Sequence, residues 1–173
     1  MAPLTPRSPP FLSEAGMVRE PDSFDEVVAP GGGSIQAAID RCREGGAILI
    51  QPGTYTLSEG SLHIIKEVHV FGRGLARLRP VQCDGIRCSA AAATLDGLVL
   101  ERMRGTAKFI GLNICAGGLR LQNSIITGSF STGLVVTRGD PVIVACRCVR
   151  SLIKGRGLIR DCALASRVRR IHF

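Results

Sequence analysis

The feature that most constrains this chain is a succession of short β-branched and aliphatic segments, each closed by glycine or a polar turn, with no crossover helices between them. Strands are expected at residues 47–51, 62–65, 68–71, 94–100, 109–114, 119–121, 124–126, 134–137, 142–148 and 158–164. So many short strands beside one convincing helix exclude a doubly wound α/β domain and leave a sandwich, a barrel or a β-solenoid.

An internal repeat decides between these. Asp96-Gly97-Leu98-Val99, Asn123-Ser124-Ile125-Ile126, Ala145-Cys146-Arg147-Cys148 and Asp161-Cys162-Ala163-Leu164 share one form, a small residue followed two positions later by an apolar one. Residues 107–114 echo 93–100, with Gly111 matching Gly97. The steps are 27 residues from Gly97 to Ser124, 22 from Ser124 to Cys146 and 20 from Ile48 to Val68. They match the roughly 20 to 27 residues of one coil of a parallel β-helix. The step of 16 from Cys146 to Cys162 is short, which fits an incomplete last coil or a match on a neighbouring face. Parallel stacking of equivalent strands sends alternate side chains into a narrow interior, where they form columns. The expected columns are Gly97, Gly111, Ser124, Cys146 and Cys162 for small residues, with Val99, Ile126, Cys148 and Leu164 beside them. Asp96 and Asp161 are expected at one repeat position.

Composition agrees with such an interior. Hydrophobic residues make up 45% of the 173, aromatics 4%, and there are 21 glycines, no Trp and one Tyr, so the core must stack Val, Ile, Leu, Ala and Cys. No run approaches the roughly 18 apolar residues that span a bilayer. Residues 1–33, rich in proline and closing on three glycines, read as a tail or linker without a secretory signal. Residues 34–46 form a capping helix, started by Ser34, striped by Ile35, Ala38, Ile39 and Cys42, and stopped by Gly45-Gly46. Residues 47–166 form the solenoid and 167–173 a basic C-terminal tail.

The stretch at residues 34–74, SIQAAIDRCREGGAILIQPGTYTLSEGSLHIIKEVHVFGRG, resembles the opening of right-handed parallel β-helix proteins of the pectate-lyase-like superfamily, including the CASH type with carbohydrate-binding and sugar-hydrolase repeats. Such proteins open with a short capping helix, a GGxIxIxPGTY strand and turn, and a lysine-led strand ending in GxG. The resemblance implies an all-β, right-handed parallel β-helix of about five coils, with an N-terminal capping α-helix and a flexible N-terminal tail. A fold of this kind carries no activity by itself.

The resemblance also says where enzymatic chemistry would lie. Pectin methylesterases carry QAVAL, QDTL and DFIFG segments, and none occurs here. Pectate lyases need a calcium-binding acidic cluster, whereas Asp84, Asp96, Glu101, Asp140 and Asp161 are scattered and mostly at expected turns. Glycoside hydrolysis needs two carboxylates within roughly 5 to 9.5 Å on one wall. The seven cysteines are odd in number and lack CxxC pairs, so they read as thiols of a reducing, intracellular compartment, cytoplasm or organelle matrix. Cys146-x-Cys148 with Cys162 and Cys115 has no histidine near it in sequence, so stacked core thiols are expected and no metal or other cofactor.

Charge is the remaining signal. Residues 1–100 hold nine Lys or Arg against eleven Asp or Glu, and residues 101–173 hold thirteen against three, so the excess of +8 lies in the second half. Candidate partner-binding residues are Arg147, Arg150, Lys154, Arg156, Arg160, Arg167, Arg169 and Arg170, with Ile171 and Phe173 supplying apolar area. No aromatic residue interleaves to stack bases, which argues against sequence-reading nucleic-acid recognition and leaves an RNA phosphate backbone, an anionic glycan or an acidic protein surface as partners of the basic field. The expected function is a non-catalytic binding or scaffold module, a structural subunit of a larger assembly. The alternatives are a carbohydrate-binding or polysaccharide lyase or hydrolase protein, and a basic subunit of a ribonucleoprotein complex.

Overall fold

The computed structural model describes residues 17–105, 107–154 and 156–166. They form an all-parallel β-solenoid whose three faces wind around one interior. The first face stacks β1 (Glu26–Val28), β2 (Gly46–Ile50), the start of β5 (Val68–Pro80), the start of β7 (Ala92–Arg102), β9 (Gly118–Gln122), β12 (Val142–Val144) and β14 (Leu158–Arg160). The second stacks β3 (Gly53–Leu57), the ends of β5 and β7, β10 (Ile125–Gly128), the start of β13 (Arg147–Ile153) and β15 (Ala163–Ser166). The third stacks β4 (Leu62–Ile64), β6 (Ile86–Cys88), β8 (Ile110–Ile114), β11 (Thr132–Val136) and the end of β13. Five coils are complete, and β14 with β15 begins another. No helix of the described residues is long and apolar enough to cross a membrane.

Alternation along each strand builds the core. On the first face Ile48, Val70, Leu95, Leu121, Ile143 and Ile159 stand in register as one inward column. Each fully buried aliphatic side chain of this kind contributes about 1.5 to 3 kcal/mol.

The columns of the second face differ from the sequence expectation by one residue. Ser124, Cys146 and Cys162 do stack, but on Leu98 and Ala76 rather than on Gly97: the Leu98 amide donates to Ser124 Oγ at 3.2 Å. Likewise Leu100, not Val99, continues Ile126, Cys148 and Leu164. Gly97 instead aligns with Asn123, and Asn123, Ala145 and Asp161 share its turn position, because all four adopt positive φ, between 50° and 63°. Backbone handedness, not side-chain size, sets the match. Asp96 therefore falls one position from Asp161, in the outward column of Gln122, Val144 and Arg160. Gly111 belongs to the third face, between Gly85 and Gly133, where a Cβ on either of the first two would strike the next glycine's carbonyl oxygen.

The N-terminal end is closed. Helix α1 (Ile35–Arg41) buries Ile35, Ala38 and Ile39 over the first coil, and Lys66 Nζ caps its C-terminus by donating to Asp40 O at 2.8 Å and Cys42 O at 2.5 Å. Residues 17–33, assigned to a tail from their prolines and glycines, carry β1 and a strap on the outside of the first face. Phe24 meets Phe71 edge-on with centroids 5.9 Å apart, Arg73 Nε donates to Glu20 at 2.9 Å, and Val18 is bound by Gln122. Residues 1–16 lie outside the described residues.

Candidate functional site

The two ends of the stack are unlike. In the first-face column Ile143 is 0% exposed, whereas Ile159, the next residue of the same column, is 36% exposed and its neighbour Leu158 52%. The difference is positional: β12 is covered by β14 on its outer side, and no strand of the described residues covers β14. The same holds for β15 on the second face, beneath which Cys162 and Leu164 are only partly buried. Among the described residues the C-terminal end thus presents strand edges and the rim of the apolar interior.

Five of the residues singled out from sequence surround this end, and all five are exposed. Arg147 projects from β13, Arg150 stands at the corner where β13 passes from the second face to the third, and Lys154 and Arg156 flank the turn into β14. Arg160 closes β14. Arg150 has φ 47° and donates from Nη1 to Phe130 O at 3.3 Å. The group is a ring around the rim rather than a single patch. Arg167, Arg169, Arg170, Ile171 and Phe173 lie outside the described residues.

None of those five cations is ion-paired among the described residues, while several arginines nearer the N-terminal end are. Arg41 pairs with Glu26 at 2.9 Å, Arg43 with Asp25 at 2.6 Å, Arg73 with Glu20, and Arg79 with Glu101 at 2.9 Å. The charge imbalance read from the sequence is therefore also an imbalance of pairing, and the field of the basic end extends into solvent.

Three acids of the solenoid body are engaged in hydrogen bonds or ion pairs. Asp96 accepts from Gln122 Nε2 and Asn123 Nδ2, each at 2.9 Å, Asp84 accepts the Ile110 amide at 2.7 Å, and Glu101 is held by Arg79 and Arg77. Among the described residues no three His, Cys, Asp or Glu side chains are placed to hold a metal ion.

The thiols stack as core. Cys146 Sγ donates to Val144 O at 3.1 Å and the Cys146 amide donates to Cys162 Sγ at 3.4 Å. Burial pushes the Cys146 and Cys148 thiols up to about 12, so both stay protonated at neutral pH and are poor nucleophiles and poor metal ligands.

Sequence reasoning missed Leu158 and Ile159, because an apolar pair in a last strand looks like every earlier apolar pair. They are set apart by position: among the described residues no later first-face strand follows β14. No known protein family, curated protein or solved structure matches the chain.

Proposed function

We propose that this protein is a non-catalytic binding and scaffold module of the pectate-lyase-like β-helix type, and that it docks by its C-terminal end onto an acidic surface of another protein in a larger assembly. The observation that carries the reading is the loss of cover between Ile143 and Ile159 within one core column, at the end where five cations without an ion pair among the described residues gather. Apolar rim and basic ring divide the work: Leu158 and Ile159 supply area removed from water, and Arg147, Arg150, Lys154, Arg156 and Arg160 steer a negatively charged partner. The C-terminal residues Arg167, Arg169, Arg170, Ile171 and Phe173 extend the same chemistry in sequence. The seven free thiols favour a reducing compartment, inside the cell.

Engagement of Asp84 by a backbone amide, of Asp96 by two side-chain amides and of Glu101 in ion pairs supports a binding module over a lyase or hydrolase. For a ribonucleoprotein subunit, phosphate contact would use the same arginines and show as a steep dependence on salt.

The test compares the full chain with an Arg156→Glu/Arg160→Glu variant and with Ile159→Asp, following incorporation into native complexes by density-gradient sedimentation and crosslinking in cells. Both variants are expected to leave the complex while keeping cooperative unfolding. Wild-type sedimentation as a free monomer, or unchanged incorporation of both variants, overturns the reading. Salt-dependent binding of wild type to a polyuridine oligonucleotide, lost in the arginine variant, selects the ribonucleoprotein alternative. Release of unsaturated sugars from polygalacturonate above a boiled control selects the enzymatic one.

A further inference from the structure

At the closed N-terminal end the first strand of each face has an outer edge, and the three edges are treated differently. On the first face β1 pairs with β2. On the third face the side chain of Gln36 does the work of a strand: its Oε1 accepts the His63 amide at 2.7 Å and its Nε2 donates to His63 O at 3.1 Å. On the second face no strand of the described residues pairs with the outer edge of β3.

The phase of that edge follows from one hydrogen bond. The Val81 amide donates to Leu57 O at 3.3 Å, so Gly53, Tyr55 and Leu57 turn their amide and carbonyl groups toward β5. Alternation then turns those of Thr54 and Thr56 outward. Along them runs a groove of about 730 Å³, bounded on one side by β3 and the turn to β4 and on the other by Gly33, Ser34 and Gln36. The five residues of β3 give a pairing edge of about 16 Å.

We propose that this groove takes an extended, basic peptide segment of a partner, which adds to β3 as a parallel strand and fills the missing second-face position above the first coil. Backbone bonds to Thr54 and Thr56 supply the affinity, as in other strand additions to an open sheet edge. The inward side chains of the added strand are apolar, because the floor is Tyr55, whose hydroxyl is committed to Val28 O at 3.0 Å and Gln51 O at 2.8 Å and leaves only the ring. The outward side chains are basic, because Glu59 stands in the groove wall and no Lys or Arg of the described residues lines it. Residues 17–67 moreover carry eight carboxylates against four cations. Three of those cations, Arg41, Arg43 and Lys66, are already held by Glu26, Asp25 and the end of α1.

The probe is a fluorescein-labelled peptide of five Val-Lys pairs, titrated against the full chain by anisotropy. Thr56→Pro removes an outward amide without touching a bond to β5, a substitution edge strands accept. Saturable binding by wild type is expected, with affinity weakened roughly tenfold by Thr56→Pro and by Glu59→Lys. A peptide of five Val-Glu pairs is expected to bind wild type at least as weakly. Matching thermal unfolding shows that each variant folds, and a Val-Lys peptide N-methylated at alternate residues repeats the test on wild type if Thr56→Pro does not. Absence of saturable binding, equal binding to wild type and Thr56→Pro, or equal binding of the Val-Lys and Val-Glu peptides overturns the proposal. So does concentration-dependent self-association that Thr56→Pro abolishes, since the occupant is then a second copy of the chain.

Discussion

Val18 and Gln122 lie 104 residues apart and share two hydrogen bonds: the Val18 amide donates to Gln122 Oε1 at 2.9 Å, and Gln122 Nε2 donates to Val18 O at 2.7 Å. A primary amide offers both a donor and an acceptor in the spacing of a peptide group, so one glutamine can hold a passing backbone as a strand would. Gln36 treats His63 the same way at the first coil.

Replacing Gln122 with Leu should therefore release the strap. With Asp96 losing one of its two donors as well, the expected cost is about 2 to 3 kcal/mol, and limited proteolysis should cut within residues 17–25 far sooner than in wild type. Unchanged protection and an unchanged denaturation midpoint would show that the apolar contacts of Phe24 hold the strap alone.

The unequal cover of one column gives a paired measurement. Ile143→Ala should destabilise by about 2 to 5 kcal/mol, the range for emptying a closed core site. Ile159→Ala, at the open end, should cost well under half of that in the isolated protein. Equal losses by urea denaturation would mean that Ile159 is buried in solution.

Thiol reactivity should follow position in the stack. In native protein at pH 8, iodoacetamide should modify half-buried Cys162 well before Cys146 and Cys148, whose thiols sit at about 12. Mass spectrometry of a time course reads the order, and prompt labelling of Cys148 would contradict the second-face register.

Stability should also fall on mild acidification. His69, 8% exposed and bonded through Nδ1 to Thr94 Oγ1 at 3.0 Å, has its pKa lowered by burial, partly offset by Glu67. A histidine held neutral in the fold favours the native state above its unfolded pKa, about 6.5, and loses that advantage as pH drops below it. The melting temperature should hold from pH 8 to 7 and fall between pH 6.5 and 5.5, and the fall should be shallower in His69→Gln.

Much of the fold is legible in the sequence because one periodicity serves both the repeat and the core. The stripe of Ile35, Ala38 and Ile39 predicts α1, and the coil length follows from glycine and small-residue spacing. What escapes is whatever depends on a partner strand. The three residues of β1 have no pattern of their own and extend only because β2 offers an edge. Gly72-Arg73-Gly74 reads as a stop, and Arg73 and Gly74 do turn the chain, at φ 51° and 74°, yet β5 continues beyond them to Pro80. At the candidate site the arginines are visible as charge, whereas the exposure of Ile159 follows from its place in the last first-face strand of the described residues, which no local pattern records.

The strap also changes how load enters the molecule. Neighbour-only contacts make a solenoid a chain of coils in series, which a pull on one end peels apart one at a time. Here Val18 is fastened to β9 in the fourth coil, while the chain leading on from it feeds β1 at the first. Tension applied at Val18 is therefore taken up in the middle of the stack, leaving the end coils slack until the Gln122 amide gives way.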